Sequence, residues 1–132
     1  MAACTDILKF LDDYLDAPSI DDYCPNGLQV EGRKEIRKIV TGVTACQLLI
    51  DRAAELGADA LLVHHGIFWK GDDMRLVSMK RRRVGALISS DMSLIAYHLP
   101  LDMHPKIGNN ACLAAAIGMV PDDGAVLHGR VI

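Results

Sequence analysis

The sequence lacks any apolar run approaching the roughly 18 to 20 residues that a membrane span requires, and its N-terminus passes directly into a polar and apolar helical pattern without a targeting segment. A cytoplasmic chain is therefore expected. No charge sign dominates: 14 basic against 17 acidic side chains leave a formal net charge of -3. That provides no field for a phosphate backbone, so nucleic acid is not an expected partner. The four cysteines, Cys4, Cys24, Cys46 and Cys112, contain no C-x-x-C pair and read as buried or free thiols, which argues against a zinc knuckle or a disulfide framework. There is no P-loop with its Lys and Ser/Thr and no G-x-S-x-G elbow, so nucleotide binding and serine chemistry by those devices are unsupported. Thiol catalysis lacks a spaced His and Asn partner set. Internal repeats, linkers and low-complexity segments are also missing.

What is present fits one packed domain over residues 1–132, with 51% hydrophobic and 23% charged residues. Ile7, Leu8, Leu11, Tyr14 and Leu15 fall at helical spacing behind Thr5, a candidate N-cap, and Pro18 ends that helix. Asp21-Asp22-Tyr23-Cys24-Pro25-Asn26-Gly27 reads as a turn-rich loop, followed by a short extended piece from Leu28 to Val30. Ile39 to Val43 is β-branched and reads as a buried strand. Thr44 and Gln47 have the form of a capping box for a helix that Gly57 ends in left-handed geometry. A second strand at Ala60–Val63, a helix over 74–89 with Val77, Val84, Leu87 and Ile88 apolar, and a third strand at Ser93–Tyr97 complete a β-α-β-α-β order. Asn109-Asn110 is expected to cap a last helix ended by Gly118, before a turn at Pro121–Gly124 and a strand from Ala125. This alternation predicts an α/β fold with a mixed, largely parallel sheet flanked by helices. The stop at Val131-Ile132 within an apolar strand is read as the mark of a fragment.

Val63-His64-His65-Gly66 is the strongest chemical feature, with two imidazoles at the carboxyl end of a strand before a glycine. Ligands bind at that edge in open α/β sheets. His98 follows the third strand and falls on the same edge, so His64, His65, His98 and Asp102 can meet as nitrogen and carboxylate donors. Adjacent histidines on extended backbone point to opposite sides, which favours two ions, or an ion and a substrate, over one ion. The N/O donor set suits Zn, Fe, Mn or Ni, and two such ions would activate water for hydrolysis. A hydrogen-bonded loop pair with no metal fits the same residues. His104, before Pro105, has a weaker claim to hydrogen-bond into the site, and His128 is read as strand surface.

Lys80-Arg81-Arg82-Arg83 resembles a nucleic-acid patch, but in a helix the four side chains fan around the circumference, and a solvated face is the expected role. Phe68 and Trp69 follow the His pair closely and are candidates to stack on a base, wall a pocket or pack in a core or subunit contact.

Taken together, Asn26-Gly27-Leu28-Gln29-Val30, Gly57-Ala58-Asp59-Ala60, His64-His65-Gly66-Ile67-Phe68-Trp69-Lys70-Gly71, the run Tyr97 to Pro105 and Gly108-Asn109-Asn110 resemble the dinuclear-metal family labelled GTP cyclohydrolase 1 type 2, or interacting-factor-three-like. The resemblance spans nearly the whole chain. It implies that His64, His65 and Asp102 are metal ligands, with His98 either a group that supports those ligands or a further ligand, and that the protein forms toroidal homo-oligomers, commonly hexamers. It also implies a metal-dependent hydrolase with two divalent ions per complete site and a small-molecule or nucleotide substrate. The alternative is a non-catalytic metal-binding or partner-binding scaffold. Family members add a second lobe whose late His-x-x-x-Glu motif completes the site, and His128 is followed by no glutamate. The expectation is a single metal-binding lobe lacking that C-terminal lobe, with little or no turnover of its own.

Overall fold

The structure, a computed structural model, describes residues 1–119 and the backbone of two short strands near the C-terminus. The chain opens with β1 (Ala2–Ala3) and α1 (Cys4–Leu15), followed by a 3-10 turn at Ala17–Ser19, β2 (Gly27–Val30) and β3 (Glu35–Ile36). The central unit is β4 (Ile39–Thr44), α2 (Gln47–Glu55), β5 (Ala60–His65), α3 (Ser78–Ser89) and β6 (Ser93–Ala96). It ends with α4 (Leu99–Met103), α5 (Asn109–Ala116), β7 (Val126–Leu127) and β8 (Arg130–Val131).

The main sheet has the order β2-β6-β5-β4; β4, β5 and β6 run parallel, and β2 pairs antiparallel with β6. This is the mixed, largely parallel sheet that the alternation of elements predicts. One face packs against α2 and α3 around Ile50, Leu61, Leu87 and Leu94. The other carries α1 through Leu15, Ile95 and Tyr97, with Ile7, Leu8 and Leu11 partly buried. The two parallel crossovers place the carboxyl ends of β4, β5 and β6 along one edge, where the loops have room to converge.

Several local expectations are corrected. Thr5 is not the N-cap: α1 starts at Cys4, whose amide donates to the Lys34 carbonyl at 2.8 Å, so Thr5 lies inside the first turn. The Thr44/Gln47 capping box does not form, because Thr44 is the last residue of β4, paired with His65, and Cys46 precedes the helix without a side-chain cap. α3 begins at Ser78, four residues later than the expected start. Asp73 turns the preceding chain by accepting from the Arg75 amide and guanidinium. Within α3, Val84 and Leu87 are buried whereas Ile88 is exposed, and Val77, expected inside the helix, is its exposed N-cap residue. Gly57 (φ +66) and Gly118 (φ +74) sit in left-handed geometry just past α2 and α5, as the sequence predicts. Gly108, not Asn109 or Asn110, occupies the cap of α5. The strand expected from Ala125 is instead the antiparallel pair β7 and β8, while the turn at 121–124 and His128 lie outside the described residues.

Candidate metal centre

β5 extends through both histidines, but its pairing with β6 stops at Val63 opposite Ala96. Beyond that point neighbouring groups steer the two rings separately. His64 Nδ1 is 3.1 Å from the Tyr97 carbonyl and must donate to it, which leaves Nε2 as the acceptor nitrogen, 3.5 Å from Asn109 Nδ2. His65 Nδ1 lies 3.1 Å from Thr44 Oγ1 at the end of β4. The rings do not point apart as strict alternation requires: their centroids are 4.3 Å apart. At Gly66 a Cβ would run into the side-chain amide of Gln29, whose Oε1 accepts from the Ile67 amide at 2.8 Å.

His98, directly after β6, joins this pair. His64, His65 and His98 each offer a donor nitrogen, and the three atoms lie within 4.8 Å of one another. The His98 Nδ1–H donates to Asp22 Oδ1 at 3.0 Å, the carboxylate–histidine arrangement that orients a ligand and frees its other nitrogen. Tyr23 and Trp69 pack edge-on against the His98 ring, each with a centroid separation of 5.1 Å. Asp102 comes from α4 and approaches the group through His64, with Oδ1 3.6 Å from Nε2. Asn109, at the start of α5, donates to the same Asp102 oxygen at 2.7 Å and fixes it in place.

The expected residues are thus brought together with one exception. His104 stacks on Tyr14 at 4.8 Å, and its Nδ1 accepts from the amides of Lys106 and Ile107, so its contacts are with α1 and its own turn. The basic run also forms no single patch, because Lys80 is tied to Asp72 and to the Asp73 carbonyl. Asp22, Thr44, Asn26 and Asn109 support the centre yet were not singled out for it by the sequence. Asp22 is hidden in a run that reads as turn formers, and its one cue is its place before Asn26-Gly27. Asn109 reads only as a helix cap.

Electrostatics separates donors from supports. Burial alone would raise the Asp22 carboxyl, but hydrogen bonds from His98, the Leu99 amide, Asn26 and the Cys24 amide outweigh it and hold the group below the usual aspartate range. Burial, reinforced by the Asp22 charge, pushes the Cys24 thiol up to about 11, so it stays protonated at neutral pH. Asp22, Cys24 and His98 also present donors within 4.8 Å of one another. In that second group each oxygen of the Asp22 carboxylate already accepts two hydrogen bonds from the protein, so its geometry is that of a support for His98. Burial, then the neighbouring His64 and His98, depress His65, against a smaller opposing effect of Asp102. A depressed imidazole is neutral at pH 7 and has the protonation state that a cation needs in a ligand.

A triad of imidazole nitrogens with an adjacent carboxylate fits a divalent ion of the Zn, Fe, Mn or Ni type. An open cleft of about 330 Å³, walled by Tyr23, Phe68, Trp69, Lys70 and Met74, lies beside the triad. Among the described residues, no helix is long and apolar enough to cross a membrane.

Comparison with known proteins identifies the family and the fold. A family model described as Duf34/NIF3 (NGG1p interacting factor 3) matches residues 2–123. A Pseudomonas aeruginosa protein named GTP cyclohydrolase 1 type 2 homolog is 57% identical over 116 residues, 88% of this chain and 46% of the relative. A Vibrio cholerae protein of the same name is 56% identical over 122 residues, 92% of this chain and 48% of the relative. The chain therefore spans about half the length of the curated relatives it matches. Among solved structures, ybgI, described as of unknown function, superposes with a TM-score of 0.87 at 51% identity, covering 89% of this chain and 47% of that one. A Thermus thermophilus protein superposes with a TM-score of 0.84 at 38% identity, covering 92% and 52% of the two chains.

Proposed function

The chain belongs to the Duf34/NIF3 family, and from that premise we propose that it forms the metal-binding half of a dinuclear, metal-dependent hydrolase. The observation that carries this reading is the convergence of His64, His65 and His98 nitrogens within 4.8 Å. Two of those rings have Nδ1 committed to oxygen acceptors. In this reading His64, His65 and Asp102 are ligands, and His98 is a further nitrogen donor. The remaining ligands of a two-ion cage belong to the part of the relatives that this chain does not span. The substrate is a small molecule or nucleotide, in keeping with the name GTP cyclohydrolase 1 type 2 homolog that the relatives carry.

When bound, the metal supplies Lewis acidity that polarises a carbonyl, amidine or phosphoryl group and eases deprotonation of water. This chain's residues do the rest. The Tyr97 carbonyl and the Asp22 carboxylate keep protons on the Nδ1 atoms of His64 and His98, Asn109 steers Asp102, and Trp69 and Tyr23 shield one side of His98.

Elemental analysis of protein purified without chelators or a polyhistidine tag tests this. We expect about one ion per chain in the wild type and at least about tenfold less in a His64→Ala/Asp102→Ala double variant. Equal metal content in the two proteins would sink the assignment. Bound metal without turnover, even when the region of the relatives that this chain does not span is supplied, would favour a scaffold.

A further inference from the structure

We infer that Asp22 is a positioning residue, a buried carboxylate that fixes the His98 ring with Nδ1 protonated and the Nε2 lone pair available to the triad. The side chain of Asp22 is 2% exposed. Oδ1 accepts from the Cys24 amide (3.2 Å) and from His98 Nδ1 (3.0 Å), while Oδ2 accepts from Asn26 Nδ2 (3.1 Å) and the Leu99 amide (2.8 Å). A local turn accounts for the Cys24 and Asn26 contacts. It does not account for the other two, which cross to residues 76 and 77 positions away on a different element. Asn26 completes the clamp, since its Oδ1 accepts from the His98 amide at 2.8 Å. The loop before β2 therefore grips His98 by its ring, its own amide and the next amide. The donor count also excludes a ligand role for Asp22, because an ion would have to displace protein donors already bonded to each oxygen.

The geometry makes Asp22→Asn informative, because an amide has one acceptor oxygen where the carboxylate has two. If the new NH2 faces His98, the ring must switch to the Nε2–H tautomer to accept from it, and the lone pair leaves the triad. The opposite orientation, with NH2 toward Asn26 and Leu99, sets two fixed donors against a third and strips the Leu99 amide of its partner, which disfavours it.

The inference rests on the metal-site reading for its consequence but not for its test. Long-range 1H–15N NMR on the metal-free protein reads the His98 tautomer directly. We expect Nδ1–H in the wild type and in a Cys24→Ser control, and loss of that single tautomer in Asp22→Asn. Zn(II) titration should then show affinity about 10- to 100-fold weaker in Asp22→Asn than in the control. A wild-type His98 in the Nε2–H form overturns the inference whether or not Asp22→Asn folds. An unchanged tautomer and affinity in a folded Asp22→Asn overturns it as well. A wild type with the expected tautomer but no Zn(II) binding would leave the Asp22 assignment standing and remove the metal reading instead.

Discussion

Asp59 shows how one side chain holds a junction. Its carboxylate accepts from the amides of Arg37 and Lys38 at 2.8 and 2.9 Å and pairs with Arg33 at 2.8 Å, tying the turn before β4 to the start of β5. The two amide hydrogen bonds, followed by Arg33, hold the carboxyl below its ordinary value despite the opposing effect of burial. A carboxyl depressed in the folded state adds stability that is complete above the unfolded value of about 3.9 and is lost as pH falls through the lower folded value. Asp59→Asn should therefore lower the urea midpoint at pH 7, and the gap from wild type should close as pH drops below about 4. A gap independent of pH would show that the charge is not what matters. The same scale marks the limit of the sequence. His64 and His65 declare themselves because a pair of imidazoles ending an apolar strand is unusual, whereas Asp22 does not, because the ring it orients is 76 residues away and its near partners are those of an ordinary turn.

Elements were more legible than their boundaries. Strand and helix order follow from apolar periodicity, which depends on the sheet faces that α1, α2 and α3 cover. Starts and caps depend on contacts that periodicity cannot carry: Lys34 sets the start of α1, and pairing of Thr44 with His65 draws the supposed cap into a strand. The five-residue α4 gives too short a pattern to detect, yet it carries Asp102. Within α3, the apolar residues Leu87 and Ile88 differ sharply, being 0% and 62% exposed. Leu87→Ala should cost about 2–5 kcal/mol through lost burial and a residual cavity, against about 0.5 kcal/mol or less for Ile88→Ala. Denaturant midpoints at a common m-value would measure both, and similar losses would show that α3 does not dock through Leu87.

The candidate centre draws on segments from across the molecule: the loop at 21–26, the ends of β4, β5 and β6, and the junction of α4 with α5. A ligand that binds only this assembled arrangement stabilises the whole fold by mass action. Zn(II) at about 100 times its Kd should add about 2.7 kcal/mol, a rise in Tm on the order of 10 °C for a domain of this size. Calorimetry of wild type against His64→Ala would detect it, and an equal rise in both would place the ion elsewhere. The fold class was legible at this scale because β-α-β order admits few arrangements. The convergence of the two His-pair rings was not, since it arises where β5 outruns its pairing with β6.

Trp69 is the chain's one tryptophan, and its ring lies 5.1 Å from His98 and 6.0 Å from His65. The protein therefore carries an intrinsic optical probe at the place where occupancy matters. Its ultraviolet emission comes from a single indole, so an open-shell ion such as Ni(II) entering the triad would dim it while closed-shell Zn(II) would mainly shift it, and the two could be followed in competition without any label.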